Sequence, residues 1–431
     1  DDILLIVEPV LMAPLRREWE SVKEEVRQLK DNEAKGVQKK ISDKLRDFAN
    51  KIAAIKVLDP ACGSGNFLYV ALRLLLDLQN EVINFSDEMG VRRFFISVTP
   101  AQLYGIEINE YAHELAQMTI QIGYIQWLCN NGYGQPAEPI LKPAKNILQM
   151  DAILAYDEKG TPFEPGWSQV DIIMGNPPFL GDKKMRSELG HKYVEDLRKL
   201  YRDRIPGQSD LVCYWFEKAR AMVEKEQVNR VGLLATQAIR HGSNRTVLDR
   251  ITQIGNIFLG IQNQEWILDG ASVRVSMVGF DNGTERLFEL DGKSVSSINS
   301  DLTSAIDLTK AQKLSQNQSI AFIGTQKGGP FDIPEAVAII ILADTGNPNG
   351  LTNSDVVRPW INGSDIAGRP SGKWIIFFGT DMPLEEASLY EKPFEYIKKN
   401  VKVSREAINS EQRTTEKWWL HQRPRPEMWI A

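Results

Sequence analysis

The segment DPACGSGNF, at residues 59–67, lies between a short apolar run at residues 55–58 and a long apolar stretch that begins at residue 66. The first run predicts a β-strand and the second a helix, so the segment is predicted to be a strand–turn–helix connection. Gly63 and Gly65 allow positive φ angles and a close approach of the backbone to a ligand. The segment therefore predicts an α/β fold with a ligand at the end of this strand.

The alternation of strands and helices continues beyond this turn. Strand patterns lie at residues 103–106, 171–174 and 230–235, and helical patterns at residues 66–78, 110–129 and 209–225. Residues 254–261 and 273–280 are predicted to form a closing strand pair. Strands that alternate with helices indicate a mostly parallel, doubly wound sheet of the Rossmann-like type.

Composition limits the class of protein. The chain has 431 residues, of which 42% are hydrophobic and 25% charged, as is typical of a globular protein with two or three domains. Three cysteines without a CxxC pair indicate neither a disulfide framework nor a zinc site, and they favour a cytoplasmic location. No apolar run approaches the roughly 18 residues of a membrane span. The net charge of −6 argues mildly against a nucleic-acid binder, so any DNA-binding function must rest on the motifs.

The composition and the apolar periodicity change along the chain. Residues 9–53 have apolar residues at helical spacing, and residues 284–320 are polar and rich in Ser, Asn and Asp. We predict a helical segment at residues 1–53, a catalytic domain at residues 54–320 and a separate region at residues 321–431.

The glycine-rich turn lacks the patterns of two common phosphate-binding turns. A dinucleotide-binding turn needs GxGxxG, but residue 68 is Leu, and the GxxxxGK[ST] pattern of a P-loop is absent. Asp59 at the end of the strand is instead able to contact a cationic amino group. This arrangement suits the methionine part of S-adenosylmethionine, which we predict as the cofactor.

Two further acids follow apolar runs. Glu107 ends the strand at residues 103–106 and is predicted to accept both ribose hydroxyls of the cofactor. Asp151 is predicted to accept from the adenine amine of the cofactor, although an Asp is also typical of a helix N-cap. The full predicted cofactor-binding set is Asp59, Ala61, Gly63, Gly65, Asn66, Phe67, Glu107, Ile108, Asp151 and Ala152.

The tetrapeptide NPPF, at residues 176–179, follows the strand at residues 171–174. This segment suits methylation of the exocyclic N6 amine of adenine. That amine is a poor nucleophile, because its lone pair is delocalised into the ring. The Asn176 side-chain oxygen and the Pro177 carbonyl supply two acceptors for its protons, held rigidly because proline fixes φ. Phe179 supplies a face on which a base removed from the duplex can stack. The predicted catalytic residues are Asn176, Pro177, Pro178 and Phe179, with no metal needed for methyl transfer.

Other chemistries can be weighed against N6-adenine methylation. Methylation of cytosine C5 needs a nucleophilic cysteine, and no cysteine stands in a Pro-Cys turn. A deaminase is excluded because the HxE and PCxxC zinc signature is missing. Methylation of cytosine N4, methylation of a protein glutamine or an RNA base, and a non-catalytic DNA-binding module all remain open.

The motifs DPACGSGNF, GIEIN, QMDAI and GNPPF occur here in the order found in a known family. The chain resembles the γ-class amino-DNA methyltransferases, and more closely the methyltransferase part of MmeI-like type IIL (type IIG) restriction–modification enzymes. The stretches PGQSDL at residues 206–211, RPWING at residues 358–363 and RPRPEM at residues 423–428 support the closer resemblance.

The resemblance implies site-specific methylation of double-stranded DNA at adenine N6, with S-adenosylmethionine as the donor. It assigns Asp59, Gly63, Glu107 and Asp151 to the cofactor and residues 176–179 to catalysis. It also implies that residues 321–431 begin a target-recognition region, and that a nuclease belongs to the same parent polypeptide before residue 1. No D…(E/Q)xK cluster stands out in this sequence, so we predict no DNA cleavage by this chain.

Overall fold

The structure, a computed structural model, describes residues 2–31, 36–134, 146–268, 271–305, 314–317, 320, 322–407 and 416–430. The chain divides into two compact units, Asp1–Lys310 and Ala311–Ala431. The predicted helical segment at residues 1–53 lies in the first unit, together with the strands that follow it.

The first unit contains helices, short 3₁₀ and π-helical turns, and strands. Its α-helices are α1 (Leu4–Val7), α2 (Ala13–Asp31), α3 (Val37–Ala54), α4 (Asn66–Glu88), α5 (Glu110–Asn130), α6 (Asp182–Leu189), α7 (His191–Leu200), α8 (Val212–Glu224) and α9 (Arg245–Ile254). A π-helix spans Glu8–Met12, and 3₁₀ turns span Pro100–Gln102 and Gln237–Arg240. Its strands are β1 (Val57–Asp59), β2 (Leu103–Glu107), β3 (Ile147–Gln149), β4 (Ala155–Tyr156), β5 (Pro162–Phe163), β6 (Ile172–Gly175), β7 (Arg230–Thr236), β8 (Asn256–Leu268), β9 (Ala271–Asp281), β10 (Phe288–Leu290) and β11 (Lys293–Val295).

Nine of the described strands form one sheet in the order β11-β10-β8-β9-β7-β6-β1-β2-β3. The five adjacent strands β3, β2, β1, β6 and β7 are parallel to one another. Strand β9 runs antiparallel between β7 and β8, which confirms the predicted closing pair. The sheet is therefore mostly parallel at its centre, as predicted, and the carboxyl ends of five adjacent strands meet along one edge.

The central strands are buried on both faces, which is why they are continuous apolar runs. Val57 belongs to the core on one face with α2 to α5, and Leu58 belongs to the core on the other face with α7 to α9. Neighbouring residues of a strand point to opposite faces, so β1 joins both cores. The result is a three-layer arrangement in which helices cover each face of the sheet.

Two helix boundaries differ from the prediction. Helix α4 continues to Glu88 instead of ending near residue 78, because the polar Gln79 is buried and hydrogen-bonded to the Ala49 carbonyl and to Ser97. Helix α8 begins at Val212 rather than residue 209. The carboxylate of Asp210 is engaged by other loops, so the residues before Val212 form a turn.

The second unit has its own core. Strands β12 (Asp332–Pro334), β14 (Lys373–Ile376) and β13 (Val357–Pro359) pair antiparallel in that order. Its helices are α10 (Glu335–Leu342), α11 (Gly363–Ala367), α12 (Leu384–Ala387), α13 (Glu391–Ile397), α14 (Val403–Ala407) and α15 (Pro426–Ile430), with a π-helix at Lys398–Lys402 and 3₁₀ turns at Ser315–Asn317 and Asn353–Asp355. None of the helices described in either unit has the length and apolar character needed to cross a membrane.

Candidate active site

A cleft of about 430 Å³ opens at the carboxyl ends of the parallel strands. This is the position where ligands bind in open α/β sheets, and the volume lies in the usual range for small-molecule sites. Seven predicted site residues, contributed by the last residue of β2 and by the segments after β1, β2, β3 and β6, line it together: Ala61, Glu107, Ile108, Asp151, Ala152, Asn176 and Pro178.

The remaining predicted residues lie around the cleft without lining it. Asp59, Pro177 and Phe67 are buried, Gly63 and Gly65 shape the turn, Asn66 is exposed at the start of α4, and Phe179 is half-buried between the two cores. Their roles toward a cofactor or a base stay predictions, whereas the glycines have a geometric reason to be where they are.

The glycine-rich turn depends on positive φ angles. Gly63 has φ of 53° and Gly65 has φ of 84°, a region that L-residues with a side chain rarely adopt. A Cβ at Gly65 would also lie 3.1 Å from the Cα of Ala116 on α5. The turn can therefore bend sharply from β1 into α4 while α5 packs against it.

Glu107 joins the end of β2 to this turn. Its Oε2 accepts from the Gly63 N–H at 2.8 Å, and its Oε1 accepts from the Asn109 N–H at 2.8 Å. Because a carboxylate oxygen can accept more than one hydrogen bond, Glu107 keeps acceptor capacity on its cleft side. The two backbone donors fix the orientation of the carboxylate at the cleft.

Asp151 does not cap a helix, so the alternative prediction of a helix N-cap at this residue is wrong. Its Oδ1 accepts from the N–H groups of Ile153 and Leu154, which belong to a non-helical turn. Its Oδ2 accepts from the Tyr193 hydroxyl at 2.7 Å; burial raises the pKa of Tyr193, and the charge of Asp151 and this hydrogen bond raise it further. The carboxylate is thus fixed from two sides at the wall of the cleft.

Asp59 lies behind the cleft, directly under Gly175. Its side chain is 1% exposed and accepts from the Ala61 N–H at 3.0 Å. A Cβ at Gly175 would lie 2.3 Å from its Oδ1, so only glycine fits there. Burial raises the pKa of Asp59 to about 7; the Ala61 N–H opposes this shift, and the negative charge of Glu107 adds to it.

We expect Asp59→Asn to change how stability depends on pH. Because the pKa of Asp59 is raised, the wild type loses stability relative to the variant as pH rises from about 4 toward 7, by roughly 1.4 kcal/mol per pH unit, and no further above that range. Urea unfolding of both proteins at several pH values measures this difference. Parallel curves for the two proteins across that range would contradict it.

The NPPF segment presents one unused acceptor. The Asn176 side chain lines the cleft, and its Oδ1 is shielded from solvent without a hydrogen-bond partner among the described residues. A buried acceptor without a donor is costly, typically about 1–3 kcal/mol, and such atoms are rare in folded proteins. Asn176 Oδ1 is therefore a buried acceptor that no donor among the described residues satisfies.

Sequence reasoning missed the opposite wall of the cleft. Its lining residues outside the motifs are Leu180, Leu189, Tyr193, Leu211 and Trp215. Trp215 of α8 donates its indole N–H to the Pro60 carbonyl at 3.0 Å, which ties this wall to the glycine-rich turn. No local pattern marks these residues, although Leu211 lies in the PGQSDL stretch that supported the family resemblance.

Comparison with known proteins agrees with this arrangement. Residues 30–289, more than half of the chain, match the family described as the MmeI DNA-methyltransferase domain. The structure is also similar to that of the type IIL restriction–modification enzyme MmeI in complex with DNA, with a TM-score of 0.64 and 20% identity, over 97% of this chain and 56% of that one. This likeness confirms the predicted α/β fold.

A curated relative covers part of the chain. DNA methyltransferase A of Bacillus subtilis (strain 168) is 29% identical over 249 residues, which are 55% of this chain and 27% of the relative. The chain thus spans about a quarter of that relative and little more than half of the MmeI structure. On the match across residues 30–289, the chain belongs to the family of MmeI DNA-methyltransferase domains.

Proposed function

We propose that this chain transfers a methyl group from S-adenosylmethionine to the N6 amine of an adenine flipped out of duplex DNA, as the modifying part of a restriction–modification protein. The unused Asn176 Oδ1 at the wall of the cleft carries the proposal. An exocyclic amine is the kind of donor that this acceptor lacks.

The cofactor assignment rests on two carboxylates at the ends of neighbouring strands. Glu107 faces the cleft beside Ile108, and Asp151 faces it from the segment after β3. The first suits vicinal ribose hydroxyls and the second suits an adenine amine, since both carboxylates accept hydrogen bonds. Apolar side chains such as Met150, Ile108 and Pro178 fit the faces of a purine ring between them.

The methionine end of the cofactor carries positive charge, and the residues near the glycine-rich turn suit it. Asp59 and Glu107 are both carboxylates, and neither forms an ion pair with a Lys or Arg in the described part of the chain. A buried carboxylate without a cationic partner is costly, as the raised pKa of Asp59 indicates. A ligand cation placed close to them would relieve that cost.

The chain's own part in the reaction is to orient the amine. Asn176 Oδ1 and the Pro177 carbonyl each accept one hydrogen bond from the amine, which turns the nitrogen lone pair out of conjugation and toward the methyl group. S-adenosylmethionine, when bound, supplies that methyl group on a positively charged sulfur, which leaves with the electron pair of the broken C–S bond as a neutral thioether, and the methylated amine releases one proton to solvent. Positioning and electrostatics of this kind lower a barrier without a covalent enzyme intermediate.

The test is to incubate the chain with methyl-labelled S-adenosylmethionine and unmethylated bacterial DNA, and then to digest the DNA to nucleosides. We expect the label in N6-methyl-2′-deoxyadenosine. Label in N4-methyl-2′-deoxycytidine would show that the target base is cytosine and not adenine, and would leave the cofactor assignment in place. Label only in added RNA or protein would overturn DNA as the substrate, and cofactor binding with no label anywhere would favour a binding module.

A further inference from the structure

Two loops that follow the neighbouring strands β6 and β7 are joined at the cleft by a pair of polar side chains. Asp210 Oδ2 accepts from the Asn244 side-chain amide at 2.8 Å, and the Asp210 N–H donates to Asn244 Oδ1 at 2.8 Å. Asp210 Oδ1 also accepts from the backbone N–H of Asp182 at 2.9 Å. Asp210 therefore holds the start of α6 and the start of α9 to the same turn.

Backbone contacts extend this junction to the cleft itself. The Leu211 N–H donates to the Leu180 carbonyl at 2.9 Å, and both side chains line the cleft. On the other side, the Ser243 hydroxyl donates to the Gln208 carbonyl at 2.9 Å. The loops after β6 and β7 thus form one connected edge beside the NPPF segment.

This edge carries cations without an acidic partner in the described part of the chain. Lys183 and Lys184 are exposed on α6, and Arg240 ends the 3₁₀ turn after β7. None of the three forms an ion pair with a described residue, and the Arg240 Nε–H is shielded from solvent without an acceptor. We call these three residues the basic rim.

The acids near the basic rim do not neutralise it. Asp182 pairs with Arg198, and Asp210 is engaged by Asn244 and by the start of α6. Asp249 lies 3.7 Å from Arg245, and Glu188 is exposed at the last turn of α6. Three cations without ion pairs among the described residues therefore lie on the segments after β6 and β7, the first of which borders the cleft through Leu180 and Leu211, in a chain whose net charge is −6.

We propose that the basic rim binds the backbone phosphates of duplex DNA on either side of the base that enters the cleft, an inference that rests on the proposed function. A nucleotide rotates out of the duplex about its own backbone, so its flanking phosphates must come close to the cleft edge. Phosphate contacts position a protein on DNA without reading its sequence. Because the chain as a whole is acidic, local cations must supply this attraction.

The test measures how DNA binding depends on salt. Lys183→Ala/Lys184→Ala removes two charges from the basic rim, and Lys39→Ala/Lys40→Ala removes two from α3 as a matched control. The neighbour of that control pair, Gln38, contacts the Met89 and Gly90 carbonyls beyond the end of α4. That end lies roughly 35 Å along the helix from the glycine-rich turn.

Binding of a labelled duplex of random sequence is followed by anisotropy from about 50 to 200 mM salt. Loss of two phosphate contacts should reduce the slope of log affinity against log salt by about 2, and weaken binding several-fold at low salt. Arg240→Ala should reduce the slope by about 1. The control pair should keep the wild-type slope.

An unchanged slope in the Lys183→Ala/Lys184→Ala variant would overturn the basic rim as a phosphate site. So would an equal loss in the control pair, or tighter binding of a single-stranded RNA of the same length. Calorimetry of the wild type and both pairs with S-adenosylmethionine alone separates the two proposals. If the wild type binds the cofactor but the Lys183→Ala/Lys184→Ala variant keeps the wild-type salt slope, only the role of the basic rim is contradicted. If that variant has a smaller slope but the wild type does not bind the cofactor, only the proposed methyl transfer is contradicted.

Discussion

Replacing Asn176 by Ala is expected to lower kcat for methyl transfer by about 10²- to 10³-fold, the usual cost of removing one preorganised polar group from a catalytic site. The variant loses the acceptor that holds one amine proton, but it leaves Glu107 and Asp151 in the cleft. The KM for S-adenosylmethionine should therefore stay within about twofold of the wild-type value. Steady-state kinetics with labelled cofactor on unmethylated DNA measures both parameters.

Two further variants sharpen this test. Asn176→Asp keeps one acceptor oxygen and should retain more activity than Asn176→Ala. Asn84→Ala removes the same group from an exposed position on α4 and should behave as the wild type. If Asn176→Ala kept kcat within a few-fold of the wild type, Asn176 would have no part in the chemical step.

The largest expected effect on stability belongs to Glu217 of α8. This carboxylate is 0% exposed and accepts two hydrogen bonds from Arg220, at 2.9 and 3.0 Å, and two from Arg250 of α9, at 3.0 and 3.1 Å. Glu217→Ala leaves the 4% exposed Arg220 with its buried charge uncompensated on that side. We expect the free energy of unfolding to fall by about 3–5 kcal/mol, the typical cost of breaking a buried ion pair.

Glu224→Ala is the matched control for this variant. Glu224 lies on the same helix and pairs with the same Arg220 at 2.9 Å, but its side chain is 52% exposed. Exposed ion pairs contribute about 0–1 kcal/mol, so this variant should unfold close to the wild type in urea. If both variants lost the same free energy of unfolding, the burial of Glu217 would not explain the contribution of its ion pair with Arg220 to stability.

The pair of Glu217 and Arg250 also matters for the cleft, because it joins α8 to α9. Helix α8 carries Trp215, whose indole N–H reaches the Pro60 carbonyl, and α9 begins next to Asn244. Both helices thus support the wall of the cleft whose residues lie outside the sequence motifs. Stability measured at Glu217 and activity measured at Asn176 therefore report on separate parts of one site.

The strand–turn–helix that begins at residue 57, the acids Glu107 and Asp151 and the NPPF segment were predictable from the sequence, but the end of the helix at Glu88 was not. These features could be predicted because each depends on nearby residues. Parallel strands that are buried on both faces are apolar runs in the sequence. Gly63 and Gly65 mark the turn, because its backbone needs positive φ angles. The strand ends are therefore visible in the sequence, and the topology of a parallel sheet brings them to one edge.

The surroundings of those residues were decided by tertiary structure. Asp59 was predicted to contact a ligand, yet it is buried under Gly175, which lies on a different strand. The hydroxyl of Tyr193 reaches Asp151 from a helix that packs over the cleft. Such contacts depend on how a helix packs against the sheet. The apolar periodicity of a helix does not determine this packing, because many sequences share the same periodicity. The sequence by itself thus determined the fold class and the motif residues at the strand ends, while long-range packing decided the opposite wall, the burial of Asp59 and the unused acceptor of Asn176.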